Sequence, residues 1–351
     1  MAPYIPGKAI EEVQKEFGEK EWIKLASNEN LFGPSPKALT AIREELPNIH
    51  LYPEGPCTDL RQAIARKFSI PDGMVIVSNG TDNLILMIAS AFVNQGEEVV
   101  VADPTFPVYT SATQIMGGRP IKVRLKDFTH DLRTMLRKVN RKTKLIFICN
   151  PNNPTGTIVT QVPFNDFLSQ LPKHVIVVLD EAYGDFAEDP FYPNGLEYIK
   201  ETKQVFVLRT FSKVYGLAGL RIGYALGRED LVDGLYRVRD PFPVHRLAQG
   251  AAIAALNDTE HTLRSIQFVY EGRRYLYKEL DKVGFSYVPS QANFILVDFK
   301  QDAEAVSQAF LKEGIIIRPG KTWGYPTFAR VTIGRTEDNQ QFIKAVKRIF
   351  K

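Results

Sequence analysis

Seven short apolar runs, at 74–78, 98–102, 120–125, 145–149, 175–179, 205–208 and 222–226, alternate with stretches whose apolar positions recur at helical spacing, notably 81–93, 131–139 and 164–170. Runs that are nearly continuously apolar are buried on both faces, so the pattern predicts an α/β fold with a mostly parallel central sheet covered by helices on each side. Ligands on such a sheet bind beyond the carboxyl ends of the strands. Upstream, Pro3, Pro6 and Gly7 deny the opening residues regular structure. A short helix over 9–17 follows, Ser35 and Pro36 supply an N-cap and first-turn proline for a helix reaching Leu46, and another helix spans 59–68. After Asp240-Pro241-Phe242-Pro243 the pattern changes. Helices at 246–256 and 259–283 lead to strands at 294–299, 315–318 and 329–333, with a helix over 303–312 between the first two and a closing helix from Glu337. The organisation expected is an arm, 1–30, that packs with the small domain or a partner subunit, a large ligand-binding domain, 31–240, and a smaller α+β domain, 241–351.

Composition narrows the function. With 351 residues, 44% of them apolar, the chain can bury a sizeable core. Its 44 basic and 40 acidic residues leave +4, with no basic run, which argues against nucleic acid. Two cysteines, Cys57 and Cys149, cannot form a disulfide framework and fit a reducing interior, and the five histidines form no metal-ligand pattern. The N-terminus lacks the cationic flank and apolar core of a signal peptide, and the longest apolar helix, 84–93, is about half a membrane span, so a cytoplasmic protein away from membranes is expected.

Candidate chemistry gathers at the strand ends. Thr210-Phe211-Ser212-Lys213 closes the run at 205–208, with Arg221 shortly after. A lysine that condenses with an aldehyde must be held still and desolvated enough to lose its proton, and pyridoxal phosphate suits Lys213 because Thr210, Ser212 and Arg221 could grip its phosphate. Asp180 ends the run at 175–179; it either caps the next helix or holds a pyridine nitrogen protonated. Gly80-Thr81-Asp82 opens the helix toward Val93, an ordinary helix start that is also an anion site. Asn150-Pro151-Asn152-Asn153-Pro154-Thr155-Gly156 reads as a fixed turn with exposed amides.

Together with Lys24-Leu25-Ala26-Ser27-Asn28-Glu29-Asn30, Leu51-Tyr52-Pro53, Asp103-Pro104-Thr105-Phe106-Pro107-Val108-Tyr109, Asp180-Glu181-Ala182-Tyr183, Gly216-Leu217-Ala218-Gly219-Leu220-Arg221-Ile222-Gly223-Tyr224, Pro289-Ser290-Gln291-Ala292-Asn293-Phe294 and Arg330-Val331-Thr332-Ile333-Gly334, these motifs run in one order along nearly the whole chain. In that order the chain resembles the fold type I PLP-dependent aminotransferases, and among them the histidinol-phosphate aminotransferase group. The resemblance implies Lys213 as the residue that bonds the cofactor aldehyde and shuttles the substrate proton, Asp180 as partner of the pyridine nitrogen, and Tyr183 and Asn153 as donors to the phenolic oxygen. It further implies Phe106 stacked on the ring, where many relatives carry tyrosine, and a phosphate held by Gly80, Thr81, Asp82, Thr210, Ser212 and Arg221. Tyr52 would reach that phosphate from a second subunit, implying a homodimer, with Tyr4 a candidate to cross the interface too. Arg330 and Arg318 would receive the carboxylate or phosphate of the substrate, Tyr4 would close over it, and Asn30 and Gly33 would lie along it. Two departures stand out: Pro243 replaces a common asparagine near the substrate pocket, and Asn83 a common glutamate. They leave an aromatic amino-acid aminotransferase as the alternative, with a threonine-phosphate decarboxylase behind it. A ligand-sensing regulator would lack catalytic residues or carry an added DNA-binding domain, and neither feature is present in the sequence.

Overall fold

The computed structural model describes residues 10–200 and 204–351. Among the described residues eight strands precede residue 230: β1 (Ile23–Lys24), β2 (Val75–Ser78), β3 (Glu98–Asp103), β4 (Arg119–Arg124), β5 (Thr143–Cys149), β6 (Ile176–Asp180), β7 (Val205–Thr210) and β8 (Gly223–Leu226). All but β1 form a seven-stranded sheet in the order β2-β8-β7-β6-β5-β3-β4. The pairs β3–β4, β3–β5, β5–β6 and β6–β7 are parallel, while β8 runs antiparallel to both its neighbours. Side chains alternate between two apolar layers: Ile146, Ile148, Val177, Leu179, Val205 and Val207 enter one, and Leu145, Phe147, Ile176, Val178, Phe206 and Leu208 enter the other. Uninterrupted apolar runs are therefore what burial on both faces demands. Pro120, which cannot donate to a ladder, sits on the edge strand β4.

Five more strands follow: β9 (Ser286–Val288), β10 (Phe294–Asp298), β11 (Ile315–Ile316), β12 (Arg318–Pro319) and β13 (Phe328–Thr332). A four-stranded antiparallel sheet has the order β12-β13-β10-β9, and β11 pairs in parallel with β1. The single strand expected over 315–318 is thus two strands that serve two different sheets. Helix Arg246–Leu256 begins and ends where the sequence pattern places it, and it packs on helices Pro36–Glu45 and Thr58–Phe68. Ser35 caps the Pro36–Glu45 helix through Lys37 N and Ala38 N and donates to Asp258 Oδ2 at 2.5 Å. Helices Val108–Ile115 and Glu229–Tyr236 and strand β9 had no counterpart in the sequence reading. Among the described residues no helix is long and apolar enough to cross a membrane.

Candidate active site

Strands β5, β6 and β7 run side by side, with Cys149 opposite Asp180 and Asp180 opposite Leu208. The two-residue side-chain period puts Cys149, Asp180 and Thr210 on one face of the sheet, at the carboxyl ends of the strands. A cavity of about 450 Å³ opens there. Its wall also receives Thr81 and Asp82 from the start of helix Gly80–Phe92, Phe106 from the loop after β3, Ser212, Lys213 and Arg221 from the segment joining β7 to β8, and Arg330 from β13. Asn153 and Tyr183 complete the set.

Lys213 Nζ donates to the carbonyls of Asn28 at 3.0 Å and Ser27 at 3.5 Å, and lies 5.4 Å from the centre of the Tyr183 ring. Burial is the main force against its charge, aided by the Arg330 and Arg221 guanidiniums and opposed by Glu29 and Asp82, so the amine is pulled down to about 8. Asp180 is the converse. Burial pushes its carboxyl up to about 6, although Tyr109 Oη donates to Oδ2 at 2.7 Å and Ala182 N to Oδ1 at 3.0 Å. A carboxyl raised and a lysine lowered across one cavity are the kind of paired perturbation that marks a candidate functional site.

At the end of the cavity beside the start of helix Gly80–Phe92, Gly80 has φ +79 and a Cβ there would sit 2.8 Å from Arg221 Nη2. Glycine is what lets the arginine lie across the helix start, whose first-turn N–H groups point outward. Arg221 Nη2 is 3.3 Å from Asp82 Oδ2, Nη1 donates to Ala218 O at 3.2 Å, and Thr210 Oγ1 accepts from Ser212 N at 3.0 Å. At the far end, Arg330 Nη1 donates to Asn153 Oδ1 at 2.5 Å and Nη2 to Ala26 O at 2.7 Å. Because a guanidinium only donates, it fixes the Asn153 oxygen and leaves that side chain's NH₂ as a donor. Arg318 and Arg330 are directly opposed in the β12–β13 register. The Trp323 ring centre lies 6.0 Å from one guanidinium carbon and 5.2 Å from the other.

The cavity therefore gathers Thr81, Asp82, Phe106, Asn153, Asp180, Tyr183, Thr210, Ser212, Lys213, Arg221 and Arg330. Five other residues lie elsewhere. Gly80 lies beneath Arg221, Arg318 stands beside Arg330 without lining the wall, and Tyr52, 79% exposed, stacks on Phe242 with ring centres 4.6 Å apart. Asn30 is buried away from the cavity, donating to Val214 O at 2.9 Å and Ser265 Oγ at 2.6 Å. The Gly33 carbonyl lies close under Gly216, where a Cβ would come within 2.5 Å of it. Tyr4 is outside the described residues. Two residues that sequence reasoning passed over touch the site directly. Tyr109 reaches Asp180 from the helix after β3, and Asn28 touches both Tyr183 and Lys213. Both stand in motifs already quoted, but neither has a residue type that announces its role. Among the described residues no three His, Cys, Asp or Glu side chains cluster as a metal site would require.

The residues present fit pyridoxal phosphate: an amine of lowered basicity for its aldehyde, a buried carboxyl for its ring nitrogen, and a helix start with an arginine for its phosphate. The family model for aminotransferase class I and II matches residues 20–346. Histidinol-phosphate aminotransferase of Moorella thermoacetica is 50% identical over 350 residues, 99% of this chain and 91% of the relative. That of Caldicellulosiruptor saccharolyticus is 44% identical over 349 residues, 99% of this chain and 98% of the relative. The crystal structure of histidinol-phosphate aminotransferase from Sinorhizobium meliloti in complex with pyridoxal-5'-phosphate superposes with a TM-score of 0.91 at 28% identity, covering 98% of this chain and 96% of that one.

Proposed function

The chain belongs to the class I and II aminotransferase family, and from that premise we propose that it moves the amino group of L-histidinol phosphate to 2-oxoglutarate, giving imidazole-acetol phosphate and glutamate in histidine biosynthesis. It is a PLP-dependent aminotransferase of fold type I. Bound at this site, pyridoxal phosphate supplies an aldehyde that takes up the amino group and a ring that accepts the electron pair left at the substrate Cα. The chain's own side chains do the rest. Lys213 Nζ, uncharged above about pH 8, would bond the aldehyde carbon and carry the proton to and from Cα. Asp180, already short of a counter-charge, would hold the ring nitrogen's proton. Asn153 and Tyr183 would donate to the phenolic oxygen, Phe106 would cover the ring, and Thr81, Asp82, Thr210, Ser212 and Arg221 would bind the phosphate.

The observation that carries the substrate reading is the opposition of Arg318 and Arg330 across β12 and β13. A monocarboxylate needs one guanidinium; a phosphate monoester, with two charges, profits from a second close by. We assign the substrate's anionic end to this pair. The test is transamination with 2-oxoglutarate: histidinol phosphate should exceed phenylalanine and tyrosine in kcat/KM, and preference for phenylalanine would select the aromatic aminotransferase instead.

We further propose a homodimer working in the cytoplasm. Leu51, Tyr52 and Phe242, 51%, 79% and 49% exposed, form an apolar ridge that a second copy would cover, bringing Tyr52 to the partner's phosphate site. Sedimentation in solution checks the pair.

A further inference from the structure

Asn28 is almost fully buried, yet its backbone is in the left-handed region at φ 55, a conformation asparagine tolerates better than most residues. That turn lets one residue present three groups to the site. Its carbonyl accepts from Lys213 Nζ at 3.0 Å and from Asn293 Nδ2 at 3.1 Å. Its side-chain nitrogen donates to Tyr183 Oη at 3.0 Å. Its backbone N–H donates to Thr332 Oγ1 at 2.9 Å, and that hydroxyl donates to Asn28 Oδ1 at 3.3 Å. Thr332 is itself fully buried, and the hydroxyl that accepts from the Asn28 backbone has its hydrogen free to fix the amide oxygen. The side-chain orientation is thereby settled, with NH₂ toward Tyr183. A phenol whose oxygen already accepts that hydrogen must direct its own O–H elsewhere, and the cavity is the side on which Tyr183 is open.

We propose that Asn28 is a positioning residue for the proton chemistry of this site: its amide, locked by Thr332, aims the Tyr183 hydrogen at the cofactor's phenolic oxygen, while its carbonyl holds Lys213 Nζ when that amine is free. The inference rests on the pyridoxal-phosphate reading given above, and it concerns a residue to which that reading gives no role. A hydrogen donated to the phenolic oxygen favours the deprotonated form of the cofactor bound through Lys213, so weakening it raises the pH at which the bound cofactor's visible band titrates.

The experiment is a double-mutant cycle read from that band in the loaded enzyme. Asn28→Gly keeps the left-handed backbone and the carbonyl and removes only the amide. It should raise the titration midpoint by about one pH unit in the presence of Tyr183, and by nothing further in a Tyr183→Phe background. Asn28→Asp, which preserves shape, is read in the same two backgrounds. Its new charge raises the midpoint in both, whereas the lost donation adds to the rise only where Tyr183 is present. Equal shifts in the two backgrounds, or no shift in either variant, would overturn the proposal. If the wild-type protein gave no visible band with pyridoxal phosphate at all, the cofactor reading itself would fall.

Discussion

Asp180 and Glu181 are neighbours in the chain, 3% and 2% exposed, and burial pushes both carboxyls up. They meet opposite fates. The side-chain period turns Glu181 to the face that carries Arg209, whose Nε and Nη2 lie 2.9 and 2.8 Å from Glu181 Oε2, while Gly195 N donates to Oε1 at 3.1 Å. Arg209 in turn lies 4.9 Å from the centre of the Phe68 ring. Asp180 faces the cavity, where the groups bonded to it are a phenol and a backbone N–H, and among the described residues no cation pairs with it. On the closed face the chain supplies its own counter-charge; on the open face it supplies Asp180 with hydrogen-bond donors only. The same holds one strand over, since Arg209 is paired and Thr210 looks into the cavity. A buried charge without its partner costs stability, and its presence at a strand end marks the face on which a ligand supplies what is missing.

Asp180→Asn breaks that asymmetry most severely. The substitution should lower kcat by about 10³-fold or more, because no carboxylate then holds the ring nitrogen's proton. The same variant should be the more stable protein without cofactor, and the sign follows from linkage. A carboxyl raised from 3.8 to about 6 contributes stability that is complete below about pH 4 and lost as pH rises through 6. The advantage of the amide should therefore appear between about pH 4 and 6 and amount to about 3 kcal/mol above that range, measured by denaturant unfolding at pH 4 and 8.

Arg330→Gln tests the other open-face charge. Loss of a charge-assisted contact should reduce kcat/KM about 100-fold for glutamate and for histidinol phosphate alike. Arg318→Gln should cost about tenfold with the phosphate substrate and leave glutamate unchanged, and equal losses with both would remove the reason for assigning the arginine pair to a dianion.

Glu181→Gln asks the question on the closed face, where stability and not turnover should move. Arg209 would lose its counter-charge, at a cost of about 2 kcal/mol, roughly 30-fold in the folding equilibrium, while kcat with cofactor saturating stays near that of the parent. A large fall in kcat without a change in stability would mean that the two faces do not divide the work in this way.

The sheet was legible because burial on both faces writes continuous apolar runs, and the seven large-sheet strands lie within two residues of the expected bounds. That Lys213, Asp180 and Arg221 would gather at one place was legible because their types are out of place at the ends of such runs, and all three line the cavity. What the sequence hid was partnership. Nothing in Asn28 or Tyr109 announces a contact with Tyr183 or Asp180, since each is made across 155 or 71 residues of chain. Asn30, expected along the substrate, instead ties the opening segment to Val214 and Ser265; its neighbour by two residues, Asn28, has the place at the site. Strand 315–318 failed as a unit because a two-residue strand pairing depends on which edge lies nearby, which periodicity does not encode.

Tyr52 is the mildest test, because its side chain belongs to neither face of the sheet. It is 79% exposed and rests on Phe242 in a near-parallel stack, 18° between planes. An exposed aromatic with its hydroxyl in solvent does little for the isolated chain. If a second copy covers the ridge and the hydroxyl reaches that copy's phosphate site, Tyr52→Phe removes one hydrogen bond and no packing area. Cofactor affinity should then fall about fivefold, by about 1 kcal/mol, with the dimer unchanged in sedimentation. Tyr52→Ala removes the stack as well and should weaken the dimer itself. Were cofactor affinity the same in Tyr52→Phe and the parent protein, the open face would be finished by its ligand alone, with no contribution from a neighbouring subunit.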